Sequence, residues 1–125
     1  MESTTIMKVV NKDIKQSGCQ ASLAAVGDAL YAIGGKWKLP IIVALSHSDK
    51  RFNELQRYVE GISAKVLSNE LKDLEMNGFI NRNIDTGFPV AVRYELTSYS
   101  HTLQNVLHAL SDWGEMHREK IMKNK

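Results

Sequence analysis

The sequence predicts a mainly α fold carrying one small β-hairpin, of the α+β class. Three observations predict it. Apolar residues recur at helical spacing in consecutive segments between Leu23 and Asn77, the period changes to two between Ile80 and Leu96, and helical spacing returns from Ser98 to Ile121. The 125 residues are 43% hydrophobic and 24% charged, which suits one globular domain able to bury a core without staples. A lone cysteine cannot close an internal disulfide, so a disulfide-framed secreted module is excluded. Apolar runs such as Pro40–Leu45 fall far short of the roughly 20 residues a membrane span needs. Met1–Val10 has Glu2 where a signal peptide carries positive charge, and no apolar stretch follows. The expectation is a reduced, cytoplasmic protein without a membrane partner. It divides into an N-terminal arm (1–18), one domain (19–121) and a short tail (122–125).

Each element has its own signal. Thr4–Val10 is a candidate short strand within the arm. The first helix is expected from Leu23 to Ile33, with Leu23, Val26, Leu30 and Ile33 in phase, Ser22 as N-cap and Gly34-Gly35 as terminator. The second carries Trp37, Ile41, Ile42 and Leu45 on one stripe, with Pro40 tolerated in its first turn. A third, Glu54–Val59, has Asn53 at the N-cap and Gln56 at the reciprocal position of a capping box. Glu60-Gly61-Ile62 turns the chain, and Ser63 caps a fourth helix that runs to Asn77 and stops at Gly78. Ile80–Ile84 and Val90–Leu96 alternate around Asp85-Thr86-Gly87-Phe88-Pro89, the pattern of a hairpin. A helix from Ser98 to Ile121 closes the chain. Four helices, a hairpin and a helix are the order of a winged helix-turn-helix with flanking terminal helices.

In a helix-turn-helix the second helix enters the DNA major groove with its N-terminal half. On a helical wheel, Leu67, Leu71 and Leu74 of the fourth helix form one narrow stripe. Lys65, Ser68, Asn69, Lys72 and Met76 lie opposite. The carboxylates Glu70, Asp73 and Glu75 all fall in the later half. The leading exposed face therefore carries a cation and small hydrogen-bonding groups, the composition that reads base edges and touches phosphates. With Ser63 at its start, Ser63, Lys65, Ser68, Asn69 and Lys72 are the expected recognition residues. Arg82 and Arg93 of the hairpin are candidate wing contacts to the backbone. Lys36 and Arg51, from a cluster that includes Lys38 and Lys50, are further phosphate candidates. For each residue alone, the plain alternative is a solvated surface side chain.

Tyr99, Leu103, Val106, Leu110, Trp113 and His117 follow a 4-3-4-3-4 spacing along the last helix, and Leu107, Gly114 and Ile121 widen the stripe. One stripe suffices to cover a helix's own domain. This wider one points to a homodimer, which would set two recognition helices roughly 34–36 Å apart on a pseudo-palindrome of double-stranded DNA.

Several of these segments resemble a known family. Ala32-Ile33-Gly34-Gly35-Lys36-Trp37-Lys38-Leu39-Pro40-Ile41-Ile42 is similar to the signature of the HxlR-type, MarR-like transcriptional regulators. So are Arg51-Phe52-Asn53-Glu54-Leu55 and Gly61-Ile62-Ser63-Ala64-Lys65-Val66-Leu67-Ser68, and Leu71–Glu75, Gly78–Ile80, Pro89-Val90, Tyr94–Thr97, Trp113-Gly114 and His117 continue the match in order. The resemblance implies a bacterial or archaeal winged-helix dimer that represses or activates nearby genes, with terminal helices as the dimer interface. It also implies an effector. Several members sense electrophiles or oxidants through an N-terminal cysteine, and Cys19 matches that position. Here Gln20 follows the cysteine where the family has proline, and no second cysteine exists. That leaves alkylation, a mixed thiol adduct or a Cys19–Cys19′ bond across a dimer, beside a spectator thiol. Ser100 also replaces the family's glycine at the start of the last helix.

Other chemistries lack their residues. Gly34-Gly35-Lys36 has Leu30 where a phosphate loop needs its first glycine and no Ser or Thr after the lysine. His47, His101, His108 and His117 are dispersed, without metal-ligand spacing. No enzyme, cofactor or metal is expected. A winged-helix module for protein–protein contact is the remaining alternative. The net charge of +2 does not decide between them. Lys36 to Arg82 holds eight Lys/Arg against six Asp/Glu, so the case for DNA rests on where the charges sit.

Overall fold

The computed structural model describes residues 15–124, and the arm's candidate strand at Thr4–Val10 lies outside them. Helix α1 spans Lys15–Ile33, starting eight residues before the apolar pattern at Leu23. Lys15, Gln16, Gln20 and Ala21 extend it by propensity, without large apolar residues to mark them. This corrects two expectations. Ser22 is no N-cap but an interior helical residue, buried, whose Oγ has no hydrogen-bond partner among the described residues. Cys19 lies within the helix rather than before it, and is exposed. At the other end Gly34 N–H donates to Leu30 O at 2.7 Å, and Gly35 takes φ +92°.

Helix α2 (Lys38–His47) buries Ile41, Ile42, Ala44 and Leu45, with Pro40 in its first turn as expected. A two-residue strand β1 (Lys50–Arg51) follows, too short to leave a periodic signal. Helix α3 (Phe52–Tyr58) begins two residues ahead of expectation because β1 delivers the chain directly into it. Asn53 and Gln56 do not form the cap. Glu54 accepts the Arg51 N–H at 2.8 Å instead, while Gln56 Nε2 donates to Ile62 O.

The turn into helix α4 (Ala64–Met76) needs Gly61 at φ +89°, a backbone region unfavourable for residues with a Cβ. Ser63 Oγ accepts the Val66 N–H at 3.1 Å, the expected cap. At the other end Gly78 N–H donates to Glu75 O and Phe79 N–H to Leu74 O, both at 3.0 Å, with Gly78 at φ +85°. This is a Schellman closure, and its apolar partners Leu74 and Phe79 are both core residues.

Strands β2 (Ile80–Asp85) and β3 (Ala91–Leu96) pair antiparallel, Arg82 opposite Tyr94 and Ile84 opposite Val92. β1 adds to the other side of β3, so the sheet order is β1-β3-β2. The last helix does not start as α. Ser98–Leu103 is a 3₁₀ segment capped by Thr97, with Ser100 Oγ donating to Thr97 O at 2.6 Å, and helix α5 runs from Gln104 to Lys123.

Ile41, Ile42, Leu55, Leu67, Leu71, Leu74 and Ile80 are almost fully buried and form the centre of one core, which Ile33, Leu45, Val59, Ile62, Phe79 and Leu103 extend. The stripe of α4 therefore packs as its spacing predicts. The terminal helices behave differently. Apart from Ile33 and Leu103, with Ala32 and Leu107 packed against the core beside them, they leave large apolar residues uncovered, so Leu23 (68% exposed), Leu30 (63%), Leu110 and Trp113 face outward in the single chain.

Candidate nucleic-acid interface

Helix α4 is held by its leucine stripe, by Ser63 at its start and by the Gly78 closure. Its opposite face is thereby fixed outward. Lys65, Asn69 and Lys72 are exposed there and Ser68 is half-buried. Ser63 is exposed too, its oxygen accepting the cap bond while its O–H remains a donor.

Two of the three carboxylates of this helix, Glu70 and Asp73, are paired. Lys38 Nζ lies 2.6 Å from Glu70 Oε1 and 3.5 Å from Asp73 Oδ2, bridging the start of α2 to the flank of α4. The Glu70 hydrogen bond holds the Lys38 ammonium above the ordinary lysine range, and Asp73 adds to the effect against the opposing cost of burial. Sequence reasoning grouped Lys38 with the phosphate candidates. The structure assigns it to neutralising α4. Its partners lie 32 and 35 positions away in the chain, so no local pattern marks the pairing.

Arg82 stands on the hairpin face that turns toward α4. With Ser68, Leu71, Lys72, Glu75 and Tyr94 it lines a groove of about 410 Å³ between helix and wing. Sequence reasoning did not include Glu75 and Tyr94 there. Tyr94 follows from alternation once the register opposite Arg82 is known. Arg93 points the other way. It lines a separate concavity with Ser48, Asp49, Lys50, Glu54, Arg57 and Tyr58, so the two wing arginines do not converge. Arg51 is exposed beside it, at the start of α3. Glu54 is held below the ordinary carboxylate range, first by the Arg51 N–H and then by the charges of Arg93, Arg51 and Arg57.

Lys36 is exposed over the Trp37 ring, 4.8 Å from its centroid, and that ring reaches the Gly61 turn, where a Cβ would sit 3.8 Å from Trp37 Cη2. Lys50 is not a surface cation. It is buried, donating to Ala44 O at 2.9 Å and Ser48 Oγ at 3.0 Å, and lies 4.8 Å from the Tyr58 ring centroid. In the 3₁₀ segment Leu103 packs into the core and Tyr99 is exposed, while on α5 Val106, Leu110 and Trp113 are exposed and His117 stacks on Trp113 at 4.8 Å.

The arrangement is a helix-turn-helix (α3, Gly61, α4) with a β2–β3 wing beside its second helix. A model of the HxlR-like helix-turn-helix family matches residues 32–122. The chain belongs to that family. It is similar to the helix-turn-helix transcriptional regulator YtcD of Bacillus subtilis, 39% identical over 97 residues that cover 78% of this chain and 77% of YtcD. The solved structure of YtcD superposes with a TM-score of 0.73 at 40% identity, covering 75% of this chain and 96% of that one. The redox regulator HypR in its oxidised form gives 0.69 at 34% identity, covering 74% and 95%. YodB of B. subtilis in its reduced form gives 0.67 at 34%, covering 71% and 87%. This HxlR-like protein is accordingly a transcriptional regulator of the helix-turn-helix type with a winged-helix fold. No helix among its described residues is long and apolar enough to cross a membrane.

Proposed function

We propose that the protein is a homodimeric regulator that binds a pseudo-palindromic operator in double-stranded DNA. In this reading Ser63, Lys65, Ser68, Asn69 and Lys72 meet the major groove, and Arg82 touches the flanking backbone. Arg51, Lys36 and Arg93 are secondary phosphate contacts. The carrying observation is the state of α4: an outward face of Lys65, Ser68, Asn69 and Lys72, with Glu70 and Asp73 drawn aside by Lys38. A helix that only packs against another protein has no need of that arrangement. The test is binding to its upstream DNA against random duplex at moderate salt. Preference for the upstream DNA, lost in Lys65→Ala/Asn69→Ala with the oligomeric state unchanged, is the expected result. Equal binding to both duplexes overturns the proposal.

The dimer part rests on the uncovered apolar sides of α1 and α5, where Leu23, Leu30, Leu110 and Trp113 are exposed in the isolated chain. Trp113→Ala is expected to shift the sedimentation coefficient toward the monomer, and an unchanged value refutes the interface.

The redox regulators among its structural relatives extend the proposal to an effector, with Cys19, exposed on α1, as the modified group. Operator release by diamide or quinone that disappears in Cys19→Ser supports this. A retained response places the sensor elsewhere.

A further inference from the structure

We infer that the groove between α2 and the start of α5 is a binding site for a small lipophilic amine, with Asp49 receiving its ammonium. The groove encloses about 410 Å³, a volume suited to a small organic molecule, and takes no residue from α4. Its walls come from α2, the loop before β1, the end of β3 and the 3₁₀ segment running into α5. The floor is apolar. Ile42 and Leu45 of α2 supply its buried part, and Leu96 of β3 and Leu107 of α5 its half-buried part.

The polar lining specifies the ligand, because it is built of acceptors. Ser46 Oγ donates its proton to Val43 O and Ser100 Oγ donates its own to Thr97 O, both at 2.6 Å. Each oxygen keeps lone pairs and has no hydrogen left to offer. Asp49 adds a carboxylate that makes no ion pair with any other described residue. It stands between this groove and the concavity of Arg57 and Arg93, and neither guanidinium comes within ion-pair distance of it. Among the described residues no lysine or arginine lines the groove. His101 and Gln104 are exposed at its mouth and turn either a donor or an acceptor inward. A carboxylate or phosphate would be repelled by Asp49 and the serine oxygens, and a wholly apolar molecule would desolvate Asp49 without compensation. An ammonium brings three donors and the opposite charge, and its apolar body covers the floor. The site also joins the lobe that holds α4 to the helix proposed to pair subunits. On the DNA-binding reading above, filling it fixes α5 against α2 and makes the amine an effector, so amine and operator change each other's affinity by one factor. Amine binding itself does not depend on that reading.

The test is calorimetric titration of the full chain with three matched probes, phenylpropylamine, phenylpropanol and phenylpropionate, at low salt. The amine is expected to bind roughly tenfold more tightly than the alcohol, the size of one charge-assisted hydrogen bond, and the carboxylate more weakly than either. Asp49→Asn should bring the amine down to the level of the alcohol while the alcohol itself is unaffected. Ser46→Phe, which fills the groove from an exposed position of α2, should abolish binding of all three. Raised salt should narrow the gap between amine and alcohol, because Asp49 is exposed. Equal affinity for amine and alcohol, or an amine affinity unchanged in Asp49→Asn, overturns the proposal. So does a lack of binding by every probe, the result expected if a second copy covers the groove. Operator titration with and without the amine then tests the effector role. A shift in operator affinity that vanishes in Ser46→Phe supports it, and amine binding with operator affinity unchanged overturns it. Failure of the ligand-free protein to prefer its upstream DNA overturns the DNA-binding reading alone.

Discussion

Replacing Lys38 by methionine tests how helix α4 is held and how two of its carboxylates are neutralised. Methionine keeps an unbranched apolar stem and removes the ammonium that joins Glu70 at 2.6 Å and Asp73 at 3.5 Å. The Lys38 and Glu70 side chains are 12% and 22% exposed, so the pair lies between two regimes. Fully exposed pairs contribute about 0–1 kcal/mol, and breaking a buried pair costs about 3–5 kcal/mol. An intermediate loss of about 2 kcal/mol follows, which lowers Tm by roughly 6–10 °C in a chain of this size. Urea unfolding of wild type, Lys38→Met, Glu70→Gln and the double variant gives the coupling as a cycle, expected at about 1–2 kcal/mol. The sign of the pH dependence is fixed by the raised folded value of Lys38. Its contribution is fully present below the ordinary lysine value near 10.5 and is lost as pH rises through the higher folded value. Operator affinity of Lys38→Met should fall as well, because two carboxylates on α4 are unmasked toward phosphate. A coupling below about 0.5 kcal/mol with operator affinity unchanged would refute the reasoning on both counts.

Three further outcomes are expected. Leu71→Ala empties a site in the centre of the core and should cost about 2–5 kcal/mol by chemical unfolding, since the two helices and wing around it collapse only partly. Gly61→Ala meets no close atom, its Cβ standing 3.8 Å from Trp37, so its cost of about 1–2 kcal/mol is conformational, and Gly61→Asn should unfold at higher urea than Gly61→Ala. Glu54→Gln should unfold at lower urea than wild type at neutral pH. Because the folded Glu54 titrates below its ordinary value near 4.5, the difference is complete above that value and vanishes as pH falls through the lowered one.

The elements easiest to read from sequence were those whose apolar period and terminators agree. Leu67, Leu71 and Leu74 set the inward face of α4, Ser63 capped it and Gly78 ended it, so the outward face followed by subtraction. The hairpin followed from alternation in the same way. The start of α1 was hidden because Lys15–Ala21 forms helix without an apolar stripe, and that misplaced both Ser22 and Cys19. β1 was hidden by its length, and with it the true cap of α3 at Arg51 and Glu54. The roles of the lysines were least legible. Lys36, Lys38 and Lys50 look alike in sequence, yet one lies over an indole, one bridges two carboxylates and one is buried. For Lys38 the deciding partner lies 32 positions away, and composition carries no trace of it.

Lys50 joins the carbonyl of Ala44 in α2, the loop at Ser48 and the Tyr58 ring of α3 through a single nitrogen, while its backbone pairs with Tyr94 in β3. Four pieces of the fold are riveted at one residue. They are therefore expected to open as one cooperative unit in native-state hydrogen exchange, with the last turn of α2 and the root of the wing sharing one opening free energy. The wing tip and the outer turns of α1 and α5 have no such rivet and should exchange independently. The molecule then combines a stiff frame around helix α4 with compliant extremities, and the compliance is confined to the places where, on the proposed function, DNA or a second subunit would have to be accommodated.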